Sequence, residues 1–255
     1  MAFKLTTVII TFNEAENIER CLKSVLPISD EVIVIDSYSR DNTVAICRKY
    51  NVKVVQRKWE GYSATKNYGS SIASNDWILS VDADEVVSPS LALAISNILK
   101  APDYKVYKLL RVNNYCGKWI KYGGWHNEFR KRLYNRNYVR WNDNEVHEDV
   151  LVKDNLPVGT IKEPLLHYSY KTISEHRIKT EKYAAMSARE MFRKGKKPSP
   201  VKLYLSPVFK FVKDFIFRLG FIDGYYGYII AKENAIYTNL KYTKLKELYK
   251  LGDLS

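Results

Sequence analysis

The chain has 255 residues, of which 46% are hydrophobic and 27% charged. This composition is that of one sizeable globular domain, or of a domain with an appendage, and it excludes a disordered chain, a collagen-like repeat and a small cysteine scaffold. The formal net charge of +13 is concentrated, because residues 1–100 carry 11 Lys and Arg against 12 Asp and Glu. The excess therefore lies in residues 101–255 and indicates either a polyanionic partner or a solvated basic surface.

The first hundred residues alternate strand-like and helix-like patterns. Residues 5–12 (LTTVIITF) predict a strand, and an amphipathic helix follows with apolar residues at i, i+3, i+4 and i+7, namely Ile18, Cys21, Leu22 and Val25. Further strands are predicted for EVIVID, VKVVQ and WILSVDADE. Helices are predicted for SRDNTVAICRKY, for residues 61–73 and for residues 89–100, where Ser88 and Pro89 provide an N-cap and a first helical residue. This alternation predicts an α/β fold with a mostly parallel sheet and helices on both faces.

The pattern changes after residue 100. Residues 104–170 are rich in aromatic residues and predict antiparallel strands, residues 172–194 predict a helix, and the breaker GKKPSP opens a C-terminal appendage. We therefore predict a catalytic domain over residues 1–195, with halves 1–100 and 101–195, and a basic helical appendage over residues 196–255. The appendage carries an apolar stripe, which either packs on the core, as periodicity favours, or lies on a membrane surface: Val208, Phe211, Val212, Phe215 and Leu219.

Several classes of protein are disfavoured by missing signatures. The first strand runs into Thr11, Phe12, Asn13 and Glu14 rather than into G-x-G-x-x-G, and no P-loop sequence occurs. The N-terminal residues are too weakly apolar for a signal peptide, and no stretch is long enough to span a bilayer. The three separated cysteines are expected to be reduced thiols of a cytosolic protein.

The strongest local motif is the cluster Asp82, Asp84 and Glu85 at the end of an apolar strand. Ligands of open α/β sheets bind beyond the carboxyl ends of the strands, where Asp36 is also expected. Residues i and i+2 of an extended chain point to one side, so Asp82 and Asp84 can face one crevice and hold Mg²⁺ or Mn²⁺. The alternative is a solvated acidic turn, with Glu85 opening the next loop.

Three further sets of residues suit a transferase. The segment Glu145 to Asp149 offers carboxylates and an imidazole that could accept the proton of an acceptor hydroxyl, or forms a charged hairpin edge. His167 is either a metal or phosphate ligand or a structural histidine. The basic run Arg130, Lys131 and Arg132 could embrace a diphosphate or an anionic acceptor, or be a basic strand edge.

Together these motifs resemble family 2 glycosyltransferases. The similarity is carried by TTVIITFNEAENIERCLKSV, EVIVIDSYSRDNT, ATKNYG and WILSVDADE, and it continues through GGWHNEFRKRLYN, NEVHED, LLHYSY and GFIDGYYGYIIA. The subgroup that the sequence resembles is the lipopolysaccharide core β-1,4-glucosyltransferase-like enzymes. The resemblance implies a GT-A fold, a nucleotide-sugar donor, expected to be linked to UDP, and inversion at the anomeric carbon.

The resemblance also implies roles for individual residues. The base and ribose pocket would be lined by Thr11, Phe12, Asn13 and Glu14, and Asp36 would read the pyrimidine edge. Lys66 would lie near the diphosphate, where the basic run described above adds Arg132. Asp84 is the expected direct metal ligand and Asp82 belongs to the same motif, with His167 a further candidate from the sequence pattern. The metal would be Mn²⁺ or Mg²⁺. The base is either Glu148 or Asp149, and we favour Glu148.

The expected acceptor is a hydroxyl of a cell-envelope glycolipid or oligosaccharide such as the lipopolysaccharide core. The basic second half then suggests a cytoplasmic protein that is peripheral on the inner face of the cytoplasmic membrane and touches anionic lipid. A polyprenyl-phosphate or exopolysaccharide sugar transferase of the same fold is the nearest alternative. A nucleic-acid-binding protein is an alternative of another class, which we disfavour because it leaves the acidic crevice unexplained.

Overall fold

The computed structural model describes residues 2–126, 128–142, 148–153 and 156–252. The chain divides into two compact units, each formed from two stretches of sequence. The first unit comprises Met1–Arg111 and Asn127–His167, and the second comprises Val112–His126 and Tyr168–Ser255.

The first half of the first unit is a parallel α/β arrangement. Its strands are β1 (Leu5–Thr11), β2 (Glu31–Asp36), β3 (Lys53–Gln56) and β4 (Trp77–Asp82). Its helices are α1 (Ile18–Val25), α2 (Thr43–Lys49), α3 (Tyr62–Ser71) and α4 (Pro89–Ile98), and the short strand β5 (Glu85–Val87) precedes α4. The four longer strands pair in the order β3-β2-β1-β4, all parallel. The predicted alternation is confirmed.

Both faces of this parallel sheet are covered, which explains the nearly continuous apolar strands. On one face Ile9 of β1 packs with Leu22 of α1 and Leu91 of α4. On the other face Val8 of β1 packs with β2, and the partly buried apolar side chains of α3 lie against this cluster. Ser88 caps α4 as predicted, since its hydroxyl accepts a hydrogen bond from the backbone N–H of Leu91 at 3.2 Å.

Antiparallel strands complete the sheet, as the aromatic-rich segments predict. They are β6 (Val106–Tyr115), β8 (Glu128–Asn135) and β11 (Val158–Tyr170), with the short β7 (Lys118–Trp119) paired to the end of β6. In the described residues the sheet runs β3-β2-β1-β4-β8-β6-β11-β5. A separate antiparallel ribbon is formed by β9 (Val139–Trp141) and β10 (Val150–Val152).

The second unit is mainly helical. It contains α5 (Ile173–Arg193), α6 (Pro200–Val212), a π-helical turn (Lys213–Phe217), a 3₁₀ turn (Gly220–Asp223) and α7 (Gly224–Gly252). The boundary predicted at residue 195 falls inside this unit because α5 packs on α7: the hydroxyls of Ser187 and Tyr237 lie 2.7 Å apart. Among the described residues, no helix is both long enough and apolar enough to cross a membrane.

Candidate active site

The predicted site residues of the parallel half meet at one edge of the sheet. In the parallel register Thr11 lies beside Asp36, and Ile10, one residue earlier on β1, lies beside Asp82. The carboxyl ends of β1, β2 and β4 thereby bring Asp36 and Asp82 to the same edge. This arrangement follows from strand direction alone.

Asp36 and Thr11 contain buried polar atoms with spare hydrogen-bonding capacity. The Oδ2 atom of Asp36 accepts hydrogen bonds from Ser39 N and Gln56 Nε2, both at 3.0 Å. In the described part of the chain, Asp36 Oδ1 and Thr11 Oγ1 are buried and have no hydrogen-bond partner. Buried polar atoms are normally paired, so these two are candidates for contact with a bound ligand.

The loop after β1 is fastened to the loop after β2. Asn13 has a left-handed backbone with φ of 55°, its N–H donates to Ser39 Oγ at 2.8 Å, and its side-chain oxygen accepts from Arg40 N at 2.8 Å. The N–H of Glu14 donates to Thr43 Oγ1 at 2.8 Å. Phe12 is exposed. Of the four predicted pocket residues, Thr11 thus ends β1, Asn13 and Glu14 are hydrogen-bonded to residues that follow β2, and Phe12 presents its ring at the surface.

Two buried cations, Lys66 and Arg132, form a charge cluster with two partly exposed carboxylates. The Nζ atom of Lys66 lies 3.1 Å from Asp82 Oδ1 and 3.1 Å from Glu148 Oε1, so one ammonium group bridges the two acids. The Lys66 side chain is fully buried, and its Nζ lies 4.6 Å from the ring centre of Trp141. Arg132 of β8 donates to Asp82 Oδ2 at 2.5 Å. The structure therefore brings together four of the predicted residues: Lys66, Asp82, Arg132 and Glu148.

Glu85 is a central member of this charge cluster. The alternative interpretation of the sequence, in which Glu85 merely opens the next loop, is therefore wrong. It is fully buried, and its Oε1 lies 2.9 Å from Arg132 Nη2 and 3.5 Å from Arg111 Nη1. Its Oε2 accepts a hydrogen bond from the backbone N–H of Asp82 at 2.9 Å. Two guanidinium groups compensate the buried carboxylate, which in turn fixes the backbone of the candidate metal-binding segment.

The surrounding charges determine the ionisation of the two aspartates. Burial by itself raises the pKa of Asp82, but the positive charges of Arg132 and Lys66 outweigh it and hold that pKa well below its usual range. Burial opposes ionisation of Asp84 as well, yet the neighbouring His167 lowers its pKa overall. Both groups are carboxylates at neutral pH, which suits cation binding at Asp84 and excludes Asp82 as a proton donor.

Asp84 and His167 are the pair best placed to hold a metal ion. His167 lies opposite Glu85 in the β11–β5 pairing, and its Nε2 is 3.3 Å from Asp84 Oδ2. The side chains are 21% and 16% exposed, so both can be reached from solvent. No group of three or more metal-binding side chains occurs in the described residues, and Asp82 is already engaged by two cations. The residues present fit an ion that takes its other ligands from water and substrate phosphates.

The two candidates for the base have different surroundings. Glu148 is a quarter exposed and is held by Lys66. Asp149 is 58% exposed, and its carboxylate pairs with Lys131 at 3.0 Å and accepts from its own neighbour, Val150 N, at 2.8 Å. Of the same predicted segment, Glu145 and His147 lie outside the described residues.

Glu85, Arg111 and Trp141 are members of the site that sequence reasoning did not assign. Trp141 lies beneath Lys66, exchanges two backbone hydrogen bonds with the side chain of Asn67, and donates its Nε1–H to Tyr134 at 2.9 Å. The only sequence signals were an acid next to the Asp82–Asp84 motif and the aromatic segment YVRW, and neither distinguishes a buried partner from a surface residue.

Comparisons with known proteins agree with this geometry. The family model described as glycosyl transferase family 2 matches residues 6–151. An uncharacterized glycosyltransferase of Rickettsia bellii is 32% identical over 96% of this chain and 87% of its own length. The lipopolysaccharide core biosynthesis glycosyltransferase LpsC of Rhizobium meliloti is 28% identical over 97% of this chain and 93% of its own.

A solved structure shares the fold. Glucosyl-3-phosphoglycerate synthase of Mycobacterium tuberculosis in complex with phosphoglyceric acid superimposes with a TM-score of 0.53 over 73% of this chain and 80% of the other, at 15% identity. The predicted fold class, an α/β GT-A fold with C-terminal helices, is confirmed. On the strength of the family model and of relatives that span nearly its whole length, the chain belongs to glycosyltransferase family 2.

Proposed function

We propose that this glycosyltransferase moves a sugar from a UDP-linked donor to a hydroxyl of a cell-envelope glycolipid such as the lipopolysaccharide core, with inversion at the anomeric carbon. The observation that carries the proposal is the grouping of Lys66, Asp82 and Glu148 beside the solvent-accessible pair of Asp84 and His167. One edge of the sheet thereby combines a cation-binding pair with a candidate base.

The donor pocket is assigned from the buried acceptors at the ends of β1 and β2. A carboxylate accepts hydrogen bonds and cannot donate them, so Asp36 Oδ1 pairs with a donor on the ligand, either an N–H or an O–H. Uracil presents such an N–H on its pairing edge. Thr11 Oγ1, also buried and unpaired in the described residues, provides a second polar contact beside it. These atoms support a uridine nucleotide, and the loop of Asn13 and Glu14 is assigned to the ribose.

Asp84 and His167 would hold the metal ion, Mn²⁺ or Mg²⁺. When bound, it would neutralise the charge that develops on the nucleoside diphosphate as the bond to the sugar breaks. Lys66 and Arg132 pair with Asp82 instead of contacting solvent, and they thereby keep its carboxylate ionised and fixed in place. Their role in this proposal is to hold the acidic segment in position, since both side chains are almost completely buried.

Glu148 acts as the general base. Its carboxylate accepts the proton of the acceptor hydroxyl while the acceptor oxygen forms a bond to the anomeric carbon and the diphosphate oxygen leaves with the electrons of the broken bond. Attack opposite the leaving group inverts the anomeric centre. Lys66 orients the carboxylate through Oε1, whereas Asp149 is more exposed and paired with Lys131. These differences favour Glu148 over its neighbour.

The acceptor is assigned from the relative named for lipopolysaccharide core biosynthesis, which matches this chain over 97% of its residues. A membrane-embedded acceptor places the protein at the inner face of the cytoplasmic membrane, and the basic second half of the chain is compatible with an anionic lipid surface. A polyprenyl-phosphate or exopolysaccharide acceptor would use the same donor pocket.

The donor assignment is tested by thermal shift with UDP, GDP, CMP and ADP, each with and without Mn²⁺ or Mg²⁺. Ligand at about 100 times its Kd stabilises a protein by about 2.7 kcal/mol, which is roughly 5–10 °C for a chain of this size. We expect a shift with UDP that requires the metal and is lost in Asp84→Ala. A shift that survives Asp84→Ala would refute the metal site, and no shift with any nucleotide would refute the donor assignment.

The base is tested by a matched pair of variants, Glu148→Gln and Asp149→Asn. UDP release from UDP-glucose, UDP-galactose and UDP-N-acetylglucosamine is measured with deacylated lipopolysaccharide core oligosaccharide as acceptor. We expect Glu148→Gln to lower kcat by about 10²–10⁴-fold and Asp149→Asn to lower it by less than about tenfold. Both variants should retain the UDP thermal shift. The reverse order of the two effects would show that Asp149 is the base.

A further inference from the structure

The second unit exposes an unusual amount of apolar surface in one stretch of chain. No residue of α6 is fully buried. Of the twenty-three large hydrophobic side chains that are exposed in the described residues, twelve lie between residues 201 and 228. Soluble proteins scatter such residues singly, and a contiguous apolar patch marks a surface that binds something.

One part of this surface is a face of α6. Val201, Tyr204, Leu205 and Val208 recur at helical spacing, and each is between 62% and 66% exposed. We name these four residues the α6 face. The opposite side of α6 packs in the second unit, where Asn239 of α7 donates to the carbonyl of Leu203 at 3.2 Å. The helix is therefore held in place while its apolar face remains uncovered.

The other part follows directly in the two tight turns before α7. Phe217, Phe221 and Ile222, which we name the turn tip, are 73%, 47% and 49% exposed. Hydrogen bonds fix the end of this turn, because Asp223 Oδ2 accepts from the backbone N–H groups of Lys121 and Tyr122 at 3.0 and 2.8 Å. The turn tip is thus an ordered apolar projection whose side chains are not withdrawn into the unit.

Charge indicates which partner covers this surface. Residues 196–222 contain six basic side chains and a single acid, Asp214. Asp214 is buried and paired with Lys210 at 2.9 Å and Arg218 at 3.4 Å, so the exposed charge of this stretch is positive. A second copy of the chain would bring these cations against each other across a two-fold axis. An anionic partner is favoured instead, and the apolar residues beside the cations suit a lipid surface.

We propose that the α6 face and the turn tip form a binding surface for anionic phospholipid membranes. The apolar side chains enter the boundary between headgroups and acyl chains, and Lys202, Lys213 and their basic neighbours contact lipid phosphates. This inference deepens the proposed function, since it rests on a membrane-borne acceptor for its biological purpose. The binding itself requires neither donor nor acceptor and can be measured alone.

The test is co-sedimentation of the full chain with vesicles of phosphatidylglycerol and phosphatidylcholine, or of phosphatidylcholine alone, at low and high salt. The variant Phe217→Ser/Phe221→Ser removes two apolar anchors, and Ile178→Ser/Leu93→Ser is the matched control with exposed residues outside the surface. We expect the first variant to lower the partition coefficient at least about tenfold. The control should bind within about twofold of the unaltered chain.

The electrostatic part is tested by Lys202→Gln and Lys213→Gln, each expected to weaken binding to anionic vesicles by about fivefold. Failure of the unaltered chain to sediment with anionic vesicles at low salt would overturn the proposal, as would equal binding by the serine variant. A dimer in sedimentation equilibrium that the serine variant abolishes, without vesicle binding, would assign the surface to a second copy. Asp84→Ala should bind vesicles normally, which separates this proposal from the transferase proposal.

Discussion

Acidification should destabilise the second unit through one buried histidine. His176 is 4% exposed, and its Nδ1 lies 3.0 Å from the hydroxyl of Tyr115. Its ring stacks on Tyr170 with the ring centres 4.4 Å apart. Burial, reinforced by the positive charge of Lys179 and opposed by Glu175, lowers the pKa of His176 from 6.5 to about 4.

The sign of the effect follows from proton linkage. Between pH 6.5 and pH 4 the unfolded chain binds a proton at His176 that the folded chain does not, so stability falls as the pH falls through this window. The two pKa values give a loss of about 2 kcal/mol between pH 7.5 and pH 5. The loss reaches about 3 kcal/mol at pH 4 and levels off below that pH.

Urea unfolding at pH 7.5 and pH 5, followed by circular dichroism, measures this loss for the unaltered chain and for His176→Gln. Carboxylates elsewhere contribute equally to both proteins, so the difference between their pH slopes isolates the histidine. We expect the variant to lose about 2 kcal/mol less than the unaltered chain on acidification. Equal slopes would refute the reasoning and would mean that attraction of the imidazolium to the surrounding aromatic rings offsets its desolvation.

Three further substitutions test the first unit. Lys66→Met removes the ammonium group shared by two carboxylates, and we expect kcat for UDP release to fall at least about 100-fold. Lys66→Arg should recover part of this loss. A change in kcat below twofold in Lys66→Met would contradict the positioning role of Lys66. Glu85→Gln removes one of the counter-charges of the buried Arg132 and of the partly exposed Arg111, which keep Asp82 and Glu128 respectively. The urea midpoint should drop by the equivalent of about 3 kcal/mol at an unchanged slope. Gly69→Ala would force a methyl group against Val8 of β1, and we expect it to lower the free energy of unfolding by about 1–3 kcal/mol. The control Ser71→Ala, on the exposed side of the same helix, should lower it by less than about 0.5 kcal/mol. Equal free energies of unfolding in the two variants would show that β1 moves to accommodate the methyl group.

The parallel half of the first unit can be predicted because its signals are local. The apolar strands, the helical spacing of α1 and the Ser88 cap each act within a few residues. Once the strands are parallel, the position of Asp36 and Asp82 at one edge requires no further information. Local chemistry and topology together therefore predict the edge of the sheet at which a ligand is expected.

The charge cluster cannot be predicted in the same way. Lys66 lies in a helix rich in serine and threonine, a composition that is typical of an exposed surface, yet its ammonium group is buried between acids 16 and 82 residues away. Arg132 reaches Asp82 because β8 pairs with β4 in a register that places Ile78 beside Tyr134. Both contacts depend on which strands become neighbours, and no short pattern encodes that. For the same reason the sequence assigns Glu85 no role of its own within the Asp82–Asp84 motif.

The stripe predicted in the C-terminal helices shows how a break in helical periodicity changes which residues are covered. Phe211 and Phe215 pack against Tyr228, each with ring centres 5.9 Å apart, whereas Val208 and Leu219 are exposed. Val208 lies before the break, on the exposed face of α6, but a uniform helix would keep Phe211, Phe215 and Leu219 on one side. The π-helical turn after residue 212 shifts the repeat, and the left-handed Leu219, with φ of 59°, then reverses the chain. Phe217 and Phe221 are exposed at these breaks, so no helical projection would select them. Their substitution is therefore the strictest test of the membrane surface.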